Sequence, residues 1–140
     1  MTTTLHASCV AIGGRGILLT GAPGSGKSDL ALRLIDRGAT LVGDDGIVVE
    51  ARNGRLHANA GPNIEGKIEI RGLGIVALPT TEAPLALAIA LDQPVPRMPD
   101  ETLPVRLIEG LALPLLALDP FEHSAPVKVE KALILYGLPS

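Results

Sequence analysis

Eight consecutive residues, Gly21-Ala22-Pro23-Gly24-Ser25-Gly26-Lys27-Ser28, fit the pattern G-x-x-x-x-G-K-[ST]. Phosphate oxygens carry charge that must be met by several donors at close range. Glycines let the backbone N–H groups of a tight loop face inward, and a helix beginning at Lys27 adds the positive end of its dipole. In that chemistry Gly21 to Ser28 cradle phosphates and Lys27 contacts the β- and γ-phosphates as a flexible point charge. Ser28 places its hydroxyl on Mg²⁺, an ion that prefers oxygen ligands in octahedral geometry. A second pair, Asp44-Asp45, ends an apolar run sixteen residues on from the loop. Acids at a strand end beside such a loop face the metal ion and the γ-phosphate. Asp-Asp-Gly is also an ordinary turn sequence, and the preceding loop is what favours the chemical reading.

These residues need particular elements to hold them. Ala7–Ile12 and Ile17–Thr20 are apolar runs joined by Gly13-Gly14-Arg15-Gly16, which predicts a hairpin whose second strand ends at Gly21. From Lys27 to Arg37, Leu30, Ala31, Leu34 and Ile35 recur at helical spacing, with Asp29, Arg33, Asp36 and Arg37 on the other side, and Gly38 follows as the stop. Thr40–Val42 begins a strand that runs into Asp44-Asp45. Ile47–Glu50 and Arg55–Ala58 flank Asn53-Gly54, a strong hairpin signal. Lys67–Arg71 alternates Ile68 and Ile70 with charged residues before Gly72-Leu73-Gly74 and a second apolar piece, Ile75–Leu78. Leu85–Leu91, bracketed by Pro84 and Pro94, reads as a strand because it is short for a helix. Val105–Leu118 reads as two short strands around Gly110 and Pro114, and Ser124–Tyr136 as a closing helix with Ser124 as N-cap and Pro126 in its first turn.

The chain of 140 residues, 46% of them hydrophobic and 19% charged, suits one domain over 1–140 that buries roughly two-thirds of its unfolded surface. Intrinsic disorder is excluded on that composition. Twelve Lys and Arg against fifteen Asp and Glu leave a net charge of -3 with no basic block, and Phe121 and Tyr136 are the aromatic residues present. The chain therefore lacks both the electrostatic footprint and the stacking platforms of a nucleic-acid binder. No apolar stretch approaches the ~20 residues that cross a membrane, and Met1 to Ser8 has no signal-peptide pattern. The single cysteine, Cys9, lies among apolar neighbours and reads as a buried inert thiol in a reducing cytoplasm. One convincing crossover helix among many hairpin signals argues against an ordinary parallel P-loop core.

With GAPGSGKSDLALRLIDRGATLVGDD followed by EIRGLGIVAL, the chain resembles the catalytic domain of the bacterial HPr kinase/phosphorylase family. The resemblance is close from His6 to Val76 and loose beyond, and the pairing of the two segments is specific to that family. It implies an α/β, PEP carboxykinase-like P-loop fold, with a mixed sheet, many hairpins and few helices, in a short form without the family's N-terminal domain. It also implies an ATP- and Mg²⁺-dependent protein kinase that phosphorylates a serine of the phosphocarrier HPr, many members also reversing the reaction with inorganic phosphate to give pyrophosphate. Partners other than HPr and ATP, nucleic acid and membrane among them, are not implied, whereas self-association is, family members often being hexamers.

Residue by residue, the resemblance makes His6 an active-site histidine, Lys27 and Ser28 the phosphate and magnesium groups, and Asp44 and Asp45 the acidic pair. Asp45 is taken as the proton acceptor, and Asp44 joins Ser28 and Glu69 as metal ligands. Arg71 belongs to the same catalytic segment as Glu69, and Arg97 takes the place of a later catalytic arginine. On pattern alone, Glu69 and Arg71 equally suit a solvated strand face, and His6 an exposed terminus; His57 and His123 read as surface residues. Asp119–Val127 reads DPFEHSAPV where the family carries Pro-Gly-Arg-Asn, a segment tied to dephosphorylation, so the kinase direction is the expected one. Two other readings stay open: a P-loop kinase or NTPase with another acceptor, and a nucleotide-binding regulatory module.

Overall fold

A computed structural model describes residues 1–61 and 66–139. The two leading apolar runs form β2 (Ser8–Ile12) and β3 (Arg15–Thr20), paired antiparallel from Ser8↔Leu19 to Ile12↔Arg15. The turn between them needs left-handed backbone at Gly13 and Gly14 (φ +57° and +83°), which glycine adopts without steric cost. Beyond the glycine-rich loop runs α1 (Lys27–Asp36). Of the residues that the helical spacing selected, Leu30, Ala31 and Leu34 are buried and Ile35 is half-buried. Gly38, at φ +107°, turns the chain out of the helix and into β4 (Thr40–Gly43).

β4 pairs antiparallel with β2, so β3 and β4 run parallel with β2 between them, and α1 is the crossover. The register of β2 against β4 shifts between Cys9 and Val10, from Cys9↔Gly43 to Val10↔Leu41. Beyond this bulge the pair Cys9↔Gly43 closes the ladder, and the chain leaves β4 at Asp44.

The remaining strands curl around this unit. β5 (Ile47–Arg52) and β6 (Arg55–Asn59) form the hairpin at Asn53-Gly54, both turn residues having positive φ (52° and 75°). β7 (Lys67–Ile70) and β8 (Gly74–Ala77) form a separate two-stranded ribbon. β9 (Ala83–Ala90) is central. One edge pairs parallel with β3; the other pairs first with β6 and then, parallel, with β11 (Leu111–Ala117), which is hairpinned to β10 (Val105–Ile108). The strand reading of 85–91 holds because β9 is covered on both faces, which removes any alternation from its sequence.

Alternate residues of the central strands feed two cores. Val10, Ile17, Leu19, Leu87 and Ile89 pack with α1 and with α2 (Ala125–Tyr136), while Cys9, Leu18, Leu85 and Ala88 pack under the β5–β6 and β10–β11 hairpins.

Three expectations are corrected. Thr2–Leu5 forms an edge strand, β1, paired with β5, where the sequence offered only a polar N-terminus. Pro114 does not divide β11. It lies at the end of the β10 ladder, before β11 begins to pair with β9 at Leu115, so its missing N–H costs no central hydrogen bond. Ser124 occupies the cap position of α2 but with helical backbone and no side-chain cap; its carbonyl accepts Lys128 N–H instead, at 2.8 Å.

Candidate functional site

The C-terminal ends of β3 and β9 lie side by side, with the N–H of Leu91 donated to the carbonyl of Thr20 at 2.9 Å. From that shared edge Gly21–Gly26 turns into α1. Gly24 and Gly26 carry positive φ (81° and 98°), which points the loop's amides away from ordinary strand or helix directions. The space where a Cβ on Gly24 would stand is open, whereas one on Gly26 would meet Pro120 Cγ at 3.2 Å. Lys27 is buried and its ammonium donates to the loop carbonyls of Gly21 (2.8 Å) and Ala22 (3.2 Å). Within the loop, the hydroxyl of Ser25 is buried without a partner among the described residues.

Asp44 follows the last residue of β4, and its carboxylate is buried beside the start of α1. Ser28 donates its hydroxyl to Asp44 Oδ1 at 2.7 Å, and Ser8 donates to the same oxygen at 2.6 Å. The backbone N–H of Glu69, on β7, is 3.3 Å from Oδ2. Asp45 stands apart from this arrangement. It is exposed, its φ is +57°, and its carboxylate takes no hydrogen bond among the described residues. Neighbours in sequence thus have different surroundings, one carboxylate pinned and one facing solvent.

The loop, Ser28, both aspartates, Glu69, Arg71, the tip of the β7–β8 ribbon and Phe121 enclose one cleft of about 890 Å³. Its rim is apolar and open: Leu73, Ile75 and Phe121 are each more than 70% exposed. Of the candidate residues, then, Pro23, Gly24, Gly26, Lys27, Ser28, Asp44, Asp45, Glu69 and Arg71 meet here, while Gly21, Ala22 and Ser25 do not line the cleft wall. His6 and Arg97 do not line the cleft. His6 is exposed between β1 and β2, and Arg97 lines a second groove formed by the 94–104 segment, β11 and α2. His57 is half-buried on β6 rather than at the surface, opposite Glu50, and His123 is exposed.

Sequence reading missed Ser8. Its signal is a polar residue opening a strand that is otherwise apolar, Ser-Cys-Val-Ala-Ile. It also passed over Phe121, visible as one of two aromatic side chains in the chain.

The side-chain oxygens of Ser28, Asp44 and Glu69 are hard donors of the kind Mg²⁺ takes, and the three residues line the same cleft. Among the described residues no three His, Cys, Asp or Glu side chains are grouped to hold a metal by themselves. The open space at Gly24, on the cleft wall, fits a phosphate group.

A glycine-rich loop closed between a central strand and its helix, with the acid that follows the parallel strand β4 hydrogen-bonded to the loop's terminal serine, defines a mixed α/β domain of the strand–loop–helix class. Residues 1–81 match the family model described as HPr Serine kinase C-terminal domain. The HPr kinase/phosphorylase of Clostridium tetani is 44% identical over 78 residues, 56% of this chain and 26% of that protein. That of Chlorobium limicola is 48% identical over 73 residues, 51% and 22% of the respective chains. The structure of the Hpr(Ser) kinase/phosphatase from Coxiella burnetii matches with a TM-score of 0.80 at 29% identity, covering 95% of both chains. The chain belongs to the HPr serine kinase C-terminal domain family, and it spans about a quarter of the length of the curated relatives it matches.

Proposed function

We propose that this domain is a phosphotransferase that moves the γ-phosphoryl group of ATP to a serine hydroxyl of an HPr-type phosphocarrier protein, in a reducing cytoplasm. The observation that carries the reading is the convergence of Ser28, Asp44 and Glu69 at the mouth of the glycine loop. In this reading the loop amides and Lys27 bind the phosphates, and Ser28, Asp44 and Glu69 hold Mg²⁺, which neutralises charge on the phosphate oxygens.

Asp45, exposed in the cleft and free of hydrogen bonds among the described residues, accepts the proton as the serine oxygen bonds to phosphorus and the bond from phosphorus to ADP breaks. Arg71, at the cleft wall, adds positive charge where the transferred group sits. The apolar rim of Leu73, Ile75 and Phe121 supports a macromolecular acceptor, because a small hydroxyl substrate has no use for exposed apolar surface around the mouth. Ile134 and Leu135 on α2 and Leu107 on β10, each at least 70% exposed, support self-association in the same reading. The segment 119–127, with Pro120 and Phe121 against Gly26, carries no Pro-Gly-Arg-Asn, so transfer from ATP is the direction proposed.

The test is mass spectrometry of purified HPr after incubation with the protein, Mg²⁺ and ATP, beside a Lys27→Ala variant. Phosphoserine is expected with the native chain and absent with the variant. Phosphoserine with both refutes the assignment of the loop, and none with either refutes HPr as the acceptor.

A further inference from the structure

Ser8 is fully buried at the start of β2, and its hydroxyl bonds the carboxylate of a residue 36 positions away rather than a strand carbonyl. The registers explain the meeting. Ser8 pairs with Leu19, one residue short of the end of β3, and Cys9 pairs with Gly43, so the next step along both β2 and β4 brings Ser8 level with Asp44. A carboxylate oxygen offers lone pairs and no proton, so the hydroxyls of Ser8 and Ser28 both donate to Oδ1.

We propose that Ser8 is a positioning residue for the magnesium side of the site: by donating to Asp44 Oδ1, it fixes the carboxylate so that Ser28 keeps its own proton on that oxygen and turns its lone pairs toward the ion. The inference rests on the phosphotransferase reading of Ser28, Asp44 and Glu69. Two fixed donors on one oxygen, with the Glu69 N–H near the other, hold both the tilt and the rotation of the carboxylate. With Ser8 removed, the carboxylate turns about its last bond to follow Ser28 alone, and the geometry offered to an octahedral ion is no longer preset. Outer groups that orient metal ligands typically affect metal affinity by about 10-fold or more.

The experiment measures binding of a fluorescent ADP analogue, mant-ADP, to the native chain, Ser8→Ala and Ser8→Thr, in EDTA and across a Mg²⁺ titration, with melting temperatures recorded in parallel. For Ser8→Ala the Mg²⁺ concentration at half-effect is expected to rise about 10-fold while the affinity in EDTA is unchanged, and Ser8→Thr, which keeps the hydroxyl, is expected to restore the native requirement. A purely structural serine would lower the melting temperature and leave the Mg²⁺ midpoint where it was. A midpoint for Ser8→Ala within twofold of native, or an equal shift in Ser8→Thr, overturns the inference and leaves the phosphotransferase reading standing. If the native chain itself binds the nucleotide with no dependence on Mg²⁺, that reading fails and takes the role of Ser8 with it.

Discussion

The carboxylate of Asp92, two residues beyond β9, accepts the backbone N–H of Ala22 at 2.9 Å and ties the glycine loop to the neighbouring parallel strand. Pro23 has no N–H to contribute next to it, so this bond is what fixes the first turn of the loop from outside. A hydrogen bond of this kind contributes about 1 kcal/mol, roughly fivefold in an equilibrium constant. Asp92→Ala is expected to weaken binding of Mg²⁺-ADP by about that factor in calorimetry. Asp92→Asn keeps an acceptor and is expected to stay within about twofold of native. Equal losses in both variants would assign the effect to charge and not to the bond.

Gly26 is a sharper constraint. Its φ of +98° is costly for any residue with a Cβ, and that atom would press on Pro120 Cγ at 3.2 Å, with Phe121 Cε1 in ordinary contact at 3.5 Å. Gly26→Ala is expected to lose about 1–3 kcal/mol in urea unfolding and to lose nucleotide binding as the loop moves away from the 120–121 segment. Gly38→Ala is the control: its φ of +107° carries strain, yet the space around it is empty, so stability falls while nucleotide affinity stays native. Native binding in Gly26→Ala would show that the loop conformation is not required.

Asp45 and Asp44 separate by substitution as they do by environment. Asp45→Asn keeps shape, removes the carboxylate proposed as proton acceptor, and touches none of the hydrogen bonds that hold Asp44. Phosphoserine formation is expected to fall by about 10²–10⁴ with Mg²⁺-ATP affinity within about twofold of native. A regulatory binding module would show no such loss of function in this variant, and a parallel loss of nucleotide affinity would assign Asp45 to binding.

Local rules made much of this legible, because the physics involved acts over a few residues. Asn53-Gly54 supplied two residues that tolerate positive φ, and Leu30, Ala31 and Leu34 marked the buried side of α1. Gly21–Ser28 announced a loop between strand and helix. What stayed hidden depends on partners far along the chain. The half-exposed Thr2–Leu5 reads as a tail until β5 supplies its ladder. Nothing near Ser8 announces a carboxylate 36 residues on, and nothing near Arg97 shows that its segment folds over β11 and α2 and not toward the loop. The Glu69–Arg71 pattern could not choose between solvent and site; both side chains are exposed and both line the cleft, where β7 passes Asp44.

Cys9 offers a prediction that is independent of any ligand. It lies on β2, with its side chain fully buried in the core under the β5–β6 and β10–β11 hairpins, and burial pushes the thiol far above its usual range, outweighing the backbone hydrogen bond that acts the other way. The native thiol therefore stays protonated where an unfolded chain's thiol, near pH 8.5, has ionised. Above that pH the unfolded state binds fewer protons than the native one, so this contribution to stability is complete below about pH 8 and is lost as pH rises, by up to about 1.4 kcal/mol per unit. Denaturant unfolding from pH 7 to 10 should show that extra downward slope in the native chain and not in Cys9→Ala, the difference between the two cancelling the titration of lysines and tyrosine. At pH 8 a disulfide reagent such as DTNB should leave the folded protein unmodified and label one thiol on addition of denaturant. Rapid labelling of the folded chain, or identical slopes in the two proteins, would place the thiol within reach of solvent and contradict its burial in that core.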